Sequence, residues 1–570
     1  MPCAGSPGVR ATTVAGGIFM SANHRRSARQ GRRGGTQRRL AARLVRSFLP
    51  LGLLAPAIPA AQAQPAEPPL VVTLAPDRPG PTIDRDIFGQ FAEHLGTGIY
   101  GGVWVGRDSP IPNVRGIRSD VVAALRAIRV PNVRWPGGCF ADEYHWRKGI
   151  GPADKRPARL NASWGGVIEP NSFGTHEFMD FLDQIGAEAY LSINVGGGTT
   201  EEAADWLDYM TSDQPTALAR ERAANGHAAP WRIKYLGLGN ENWGCGGAMS
   251  IEHYVEEMKR FSHYARNLNT AQTGAGAMQR IAVGSDGGKL DYTDAVMQAW
   301  KDKVYSWDID GVSLHNYTVN GWPPHLPSTG FGEDDYAALL DETLRMDALI
   351  GKQSAIMDRY DPAKKLTLAV DEWGAWLAPT PGSNPGFLQQ QNSLRDALLA
   401  ALNLDIFMRH ADRVRITNIA QMANVLQAMV LTDGPHMVLT PTYHVYRLYV
   451  PFQDAVRVPV SFAAGSYRHG SITLPRLDAV AARDPSGRLW LALTNIDPTR
   501  PLTIAPTIAG KRIRAMSGQV LTAASVASVN TVAAPDAVTP KPIAARSVGG
   551  TLTLVLPPKS VSVVVVTVAP

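Results

Sequence analysis

Residues 233–268 read IKYLGLGNENWGCGGAMSIEHYVEEMKRFSHYARNL. The apolar run Ile233–Gly239 is too short for a helix that buries one face, and it breaks into a loop of glycine, asparagine and acid. A helical pattern follows over Ile251–Leu268, with Ile251, Tyr254, Val255, Met258 and Phe261 three or four apart. Strand, polar loop and amphipathic helix make one βα unit.

The same unit recurs on both sides. Strand patterns fall at Ile87–Phe91, Val130–Trp135, Ala189–Val195, Ile233–Gly239, Ile281–Ser285, Gly311–Leu314, Leu366–Val370 and Val414–Ile419. Helical patterns lie between them, as at Ser119–Arg129, Thr175–Ile185 and Asp335–Ile350, with caps expected at Ser119-Asp120 and Asp334-Asp335. Alternation predicts a parallel sheet, and eight repeats predict an α/β fold, a (β/α)8 TIM barrel over residues 83–450. An open doubly wound sheet is the alternative.

After about Phe452 helical periodicity stops. Short β-rich runs such as Leu489–Asn495, Leu502–Ile504, Thr551–Leu556 and Ser560–Val568 predict a C-terminal β-sandwich over 451–570. Residues 64–82 read as a linker and a strand, Leu70–Leu74, outside the barrel and available to complete that sandwich.

The 570 residues carry a formal charge of +6, but residues 1–63 hold ten arginines and no acid, so the remainder is at −4. That distribution gives no support to nucleic acid binding. The arginine-rich tract, the apolar stretch Phe48–Ala60 and Ala61-Gln62-Ala63 read as a leader cleaved after Ala63, which predicts an exported, periplasmic or secreted protein. No other segment is apolar enough for a membrane span.

The informative polar clusters each sit just after a strand pattern, at the catalytic face of a (β/α)8 barrel. Glu93-His94 follows the first strand, Arg134 to Trp146 the second, Asn240-Glu241 the fourth, His315-Asn316-Tyr317 the sixth, Asp371-Glu372-Trp373 the seventh and Gln421 the eighth. One such residue is commonly a strand-end hydrogen bond, but six groups converging on one mouth make a site. Strands four and seven face each other across a barrel, so Glu241 and Glu372 point into a common space. A carboxyl pair of this kind suits glycoside hydrolysis, with one group protonating the leaving oxygen and one attacking the anomeric carbon. Trp135, Trp146, Trp164, Trp243, Tyr317, Trp322, Trp373 and Trp376 gather in the same loops, where flat rings suit sugar faces. Core packing is an equal reading for Trp135 and Trp373; exposure at a cleft is expected for Trp164, Trp243 and Trp322. No His, Cys and Asp ligand cluster suggests a metal, and no cofactor is expected.

The stretches FGQFAEHLG (from Phe88), RWPGGCFADEYHWRKGIGP (from Arg134), FGTHEFMDF (from Phe173), LGLGNENWG (from Leu236), SLHNY (from Ser313), VDEWGAW (from Val370) and ADRVRITNIAQMANV (from Ala411) resemble the α-L-arabinofuranosidases of glycoside hydrolase family 51. The resemblance implies that Glu241 is the acid/base and Glu372 the nucleophile. It assigns sugar contacts to Glu93, Asn240, Tyr317 and Gln421, a charge beside the nucleophile to Arg134, and aromatic walls to Trp164 and Trp376. His315 fits the motif either as a contact or as a structural hydrogen-bonding residue. Cys139 stands where many members place an arabinose-binding asparagine, whose donor and acceptor set a thiol lacks. Glycine neighbours around Cys139 and Cys245, together with export, lead to the expectation that the two cysteines pair or nearly touch beside the pocket, with two buried free thiols that only fill space as the equal alternative.

These readings converge on a retaining exo-glycosidase that removes terminal arabinofuranosyl residues from arabinose-containing glycans, in a chain whose relatives are often homo-oligomers. A β-xylosidase or an endo-glucanase would use the same barrel and glutamates, and a non-catalytic carbohydrate-binding protein would keep the fold without them.

Overall fold

The computed structural model describes residues 68–548 and 551–569. The leader reading over 1–63 and the first part of the linker lie outside them.

Eight parallel strands close into a barrel. In chain order they are β1 (Gly89–Phe91), β2 (Asn132–Trp135), β3 (Glu188–Ser192), β4 (Tyr235–Leu238), β5 (Gln279–Ser285), β6 (Gly311–Thr318), β7 (Thr367–Ala375) and β8 (Val414–Ile419). Each contains or overlaps one of the eight strand patterns. Closure runs through β8 and β1, where Asn418 and Ile419 pair with Gly89 and Gln90. Gly89 permits it, since a Cβ there would fall 2.6 Å from the Thr417 carbonyl and 2.8 Å from the Asn132 side chain. Tyr190, Tyr235, Ile281, Ala369 and Ile416 fill the interior, so the barrel is a packed core.

Helices cover the outside: α1 (Ser119–Ala127), α2 (Thr175–Ile185), α3 (Thr200–Thr211), α4 (Ala217–Ala224), α5 (Ile251–Tyr264), α6 (Leu290–Lys301), α7 (Glu333–Tyr360) and α8 (Leu394–Arg409), with α9 (Pro441–Tyr449) after β8. α1 stops short of the expected Arg129 because Arg129 turns left-handed at φ 53°. Its N-cap residue is Arg118, not Ser119 or Asp120. α7 runs ten residues past Ile350, carried by burial of Gln353, Ile356 and Met357 in a stretch too polar to read as helical. At its start the Asp335 carboxylate accepts from the Gly332 N–H at 3.1 Å. α8 is buried from Leu394 to Met408.

Among the described residues two larger sheets pack together beyond the barrel. One has six strands, including Leu489–Asn495 and Ser560–Val568; the other has five. They share a core of Val72, Leu74, Ile504, Leu554, Leu491, Leu493 and Val564. Leu70–Leu74 lies inside the five-stranded sheet, antiparallel to Val460–Phe462 and parallel to Leu502–Ile508. Residues 525–530 leave the sheets and return to the barrel, where Ser528 and Val526 carbonyls accept the N–H groups of Leu394 and Arg395, both at 2.9 Å. They supply the acceptors that the first turn of α8 lacks within its own helix. Among the described residues no helix is long and apolar enough to cross a membrane.

Candidate active site

The strands bring Glu241 and Glu372 together at the C-terminal end of the barrel. Glu241 lies just past β4, with its backbone left-handed at φ 41°. A non-glycine residue there is uncommon and is held by its surroundings. The Glu241 carbonyl accepts from the N–H groups of Gly244 at 2.7 Å and Gly246 at 3.1 Å, which curls the loop back on itself. Gly246 passes so close to the Asn240 carbonyl that a Cβ would sit 1.8 Å from it.

Glu372 lies within β7 rather than after it, because β6 and β7 stay paired through His315 and Glu372, Asn316 and Trp373, and Tyr317 and Gly374. The register slips between Ser313 and His315, and on the other side between Val370 and Trp373. Bulges of this kind re-aim side chains beside active sites. A carboxylate oxygen from each glutamate and a ring nitrogen of His315 lie within 4.8 Å of one another. The Glu241 side chain is 21% exposed and that of Glu372 is 7%, so Glu241 faces the opening and Glu372 the floor.

Buried cations surround the floor carboxylate. Arg134 on β2 donates from Nη1 to Glu372 Oε1 at 2.7 Å and from Nη2 to Asn240 Oδ1 at 2.6 Å. Its Nε is 3.7 Å from Asp371 Oδ2, and its guanidinium lies 4.8 Å over the Phe91 ring. Tyr317 donates to Glu372 Oε2 at 2.9 Å. His315 Nδ1 is 2.7 Å from Glu241 Oε1 and 3.6 Å from Glu372 Oε2, while Nε2 is 3.4 Å from Asp371 Oδ1. Burial pulls the imidazole down, but the charge of Glu372 and the hydrogen bonds to Asp371 and Glu241 outweigh it and lift it to about 10. Burial works on Asp371 in the opposite sense, yet Arg134, His315 and Ser313 hold it down at about 2. The result is an imidazolium seated among carboxylates. Glu241, His315 and Glu372 have donor atoms at the spacing of a metal site, and both ring nitrogens of His315 face carboxylate oxygens.

Glu93 lies past β1. Its Oε1 accepts from the N–H groups of Gly138 at 3.1 Å and Phe140 at 3.0 Å, and its Oε2 accepts from Gln421 Nε2 at 3.1 Å. Burial and then the charge of Glu372 push it up to about 7. A Cβ on Gly138 would meet Glu372 Oε1 at 2.9 Å and one on Gly137 the Glu93 side chain at 2.7 Å, so this glycine pair lets the chain pass between two carboxylates.

Cys139 and Cys245 are bonded, with Cα atoms 5.4 Å apart, joining the loops after β2 and β4. The Cys245 sulfur is 3.7 Å from Glu241 Oε2 and 3.9 Å from Asn240 Nδ2. Trp164, Tyr317 and Trp376 pack partly buried against Phe91 and Leu95. Tyr317 and Trp376 meet edge to face at 4.9 Å. Of the other aromatics, Trp135, Trp146 and Trp373 are core, and Trp243 is partly buried with its indole N–H on the Gly284 carbonyl at 3.1 Å. Trp322 is 71% exposed.

Three supporting residues escaped the sequence reading. Tyr190 on β3 and Ser313 on β6 both donate to Asp371 and fix the carboxylate under His315. Asp142 accepts from the N–H groups of Val195 at 2.9 Å, Gly196 at 2.6 Å and Asn240 at 3.1 Å, clamping the β3 and β4 loops together. Ser313 carried a readable signal, since it precedes His315 by two and faces the same side of β6. Asp142 lay inside a recognised stretch, but its partners are backbone groups of other loops and leave no trace in sequence.

Residues 124–318 match the family model described as the α-L-arabinofuranosidase 1 domain, and residues 371–560 that of the α-L-arabinofuranosidase C-terminal domain. The chain is 43% identical over 493 residues to an intracellular exo-α-L-arabinofuranosidase of Bacteroides ovatus, covering 86% of this chain and 94% of that one. The fold superposes on the GH51 arabinofuranosidase of Xanthomonas axonopodis pv. citri with a TM-score of 0.84 and 51% identity, over 88% of this chain and 100% of the other. It superposes on the α-L-arabinofuranosidase of Thermotoga maritima in its arabinose complex with a TM-score of 0.75 and 29% identity, over 87% and 99%. The Bacteroides relative corrects the expectation of an exported, periplasmic or secreted protein, since that enzyme is intracellular. An arginine-rich tract before a short apolar run has the composition of a basic tail as well as of a leader, and Phe48–Ala60 is broken by three prolines. With two domain models in order, a relative at this identity over most of its length, and the same barrel in the solved structures, the chain belongs to the α-L-arabinofuranosidases of glycoside hydrolase family 51.

Proposed function

We propose that the protein is a retaining, exo-acting α-L-arabinofuranosidase that releases terminal arabinofuranosyl residues from arabinose-containing oligo- and polysaccharides by double displacement. The observation that carries this reading is the close approach of the two carboxylates, with His315 between them inside 4.8 Å. An inverting enzyme needs room for a water between its carboxyl groups, and retaining enzymes hold them at about 5–5.5 Å.

Glu372, ionised beside Arg134, attacks the anomeric carbon while Glu241 protonates the departing oxygen. His315 Nδ1, 2.7 Å from Glu241 Oε1, orients the acid/base carboxyl, which gives its proton to the leaving oxygen and is left ionised. Formation of the glycosyl ester removes the negative charge on Glu372 that faces Glu241. Glu241 then takes a proton from water, which attacks the same face and frees the sugar with its configuration retained. Glu93, Asn240 and Gln421 would bind sugar hydroxyls, and Trp164 and Trp376 would wall the ring. Cys139 cannot replace an amide there, because its sulfur is committed to Cys245.

Proton NMR of the first product from an α-L-arabinofuranoside tests the mechanism. The α-anomer must appear before mutarotation; initial β-anomer would refute double displacement.

A further inference from the structure

A second concavity lies on the flank of the barrel and shares no residue with the site of Glu241 and Glu372. It encloses about 1590 Å³ between residues 100–115 after β1, residues 151–156 after β2, the outer face of α2 and residues 224–232 between α4 and β4. The groove runs from the catalytic end of the barrel, at Tyr100, to the opposite end, where Trp231 precedes β4. At its upper end it backs onto the glutamate site. Tyr100 donates to Glu169, and Glu169 accepts from Nδ1 of His94, the neighbour of Glu93, at 2.9 Å.

The floor is apolar, with Trp104, Met179 and Leu182 buried beneath it. Toward the lower end His227 stacks on Trp231 at 4.2 Å, and His176 meets the same indole edge to face at 5.0 Å. His176 is a neutral donor. Its Nε2 lies 2.6 Å from the Tyr209 hydroxyl, which accepts from Asn225 Nδ2 at 3.0 Å and so gives its own proton to the ring. The ring proton then sits on Nδ1, which has no partner among the described residues, and burial lowers the imidazole to about 4. The side chains of Arg107, Arg232, Asp108, Asp154, Asp183 and Glu188 line the groove and make no ion pair or hydrogen bond among the described residues.

This composition selects the ligand. Six carboxylates against four arginines disfavour a polyanion, whether nucleic acid or an anionic lipid surface. Unpaired charges of both signs are what the centre of a protein interface lacks. A chain of neutral rings bearing hydroxyls meets both features. Its C–H faces cover the apolar floor and the indole, and its hydroxyls bond the carboxylates, the guanidinium groups and the His176 N–H. Resting on the activity proposed above, we infer that the groove is a second carbohydrate-binding site, which holds the polysaccharide from which arabinose is removed. A polymer lying there stays beside the glutamates between turnovers, which raises the effective concentration of its branches.

The test is migration of full-length Glu372→Ala protein, which leaves its substrate intact, through native gels cast with soluble arabinan or with arabinoxylan. One of the two should retard it, and adding Trp231→Ala should abolish most of that retardation. With Glu372 intact, Trp231→Ala should lower kcat/KM on the retarding polymer about fivefold and leave that on an aryl α-L-arabinofuranoside unchanged. Should Trp231→Ala fail to fold, which loss of the aryl rate would reveal, Arg232→Ala with Asp183→Ala on the exposed rim takes its place in both measurements. No retardation by either polymer, or retardation that the groove variants leave intact, would overturn the site. Wild-type protein inert on the aryl substrate would instead overturn the activity, while the gels still report on the groove.

Discussion

His315 Nδ1 lies 2.7 Å from Glu241 Oε1, and its Nε2 lies 3.4 Å from Asp371. The imidazole therefore links the partly exposed Glu241 carboxylate to the buried Asp371, which Tyr190, Ser313 and Arg134 all hold. A residue placed in this way governs both the orientation of Glu241 and the proton beside it.

Replacing it should show in the rate. His315→Gln keeps a donor but no titratable proton, and kcat should fall about 10²-fold. A variant within twofold of wild type at every pH would remove His315 from the mechanism.

The same residue sets a pH dependence of stability. His315 holds its proton up to about pH 10 in the folded protein and to 6.5 in the unfolded chain. Its contribution is full below pH 6.5 and is lost as pH rises through about 10. Asp371, at about 2 folded against 3.8 unfolded, contributes above 3.8 and loses that contribution as pH falls through about 2. Unfolding midpoints of wild type and His315→Gln should converge between pH 6.5 and 10. Parallel curves over that range would contradict the assignment.

The division of labour between the glutamates predicts different responses to leaving group. Glu372→Ala should lose at least about 10³-fold on every substrate, with azide restoring part of the rate and giving the inverted product. Glu241→Ala should retain far more activity on aryl arabinofuranosides with acidic phenols than on disaccharides, because acidic phenols depart without a proton. Equal loss on both substrate kinds would exchange or dissolve these roles.

Arg134 is buried beside two carboxylates and an amide. Arg134→Met would strand Glu372 and Asp371 without their cation, and thermal or denaturant unfolding should report a loss of about 3–5 kcal/mol. A variant of wild-type stability would mean that His315 and Tyr317 suffice.

The Cys139–Cys245 link closes a loop of 106 residues. Denatured, unreduced protein should show neither cysteine reactive, and Cys139→Ser with Cys245→Ser should lose about 2–5 kcal/mol. Three reactive thiols in the full chain before reduction, Cys139 and Cys245 in addition to Cys3, would exclude the bond.

The barrel was legible because its strands are apolar runs and its helices are amphipathic, and both periodicities survive in the chain. The positions of Glu241 and Glu372 followed from counting strands. Strand ends were less legible: β6 and β7 continue through His315, Tyr317 and Glu372, polar residues that end an apolar pattern but not a hydrogen-bonded ladder. Asp142 and Tyr190 were missed because their work is done on groups far along the chain. The break at residue 450 was drawn where periodicity changes, yet residues 525–530 return to cap α8 through backbone bonds to which composition is blind.

The placement of Leu70–Leu74 between Val460–Phe462 and Leu502–Ile508 has a bearing on how the chain is made. About 390 residues separate the first strand from its nearest partner, roughly 20–80 s of translation at ordinary ribosome speeds. Throughout that time the strand's apolar face and unpaired edge have nothing to join, while the barrel is synthesised in between. The barrel is thus an insertion within a sheet that only the last-made residues can complete, and a ribosome that stalls after residue 450 releases a chain with an open edge.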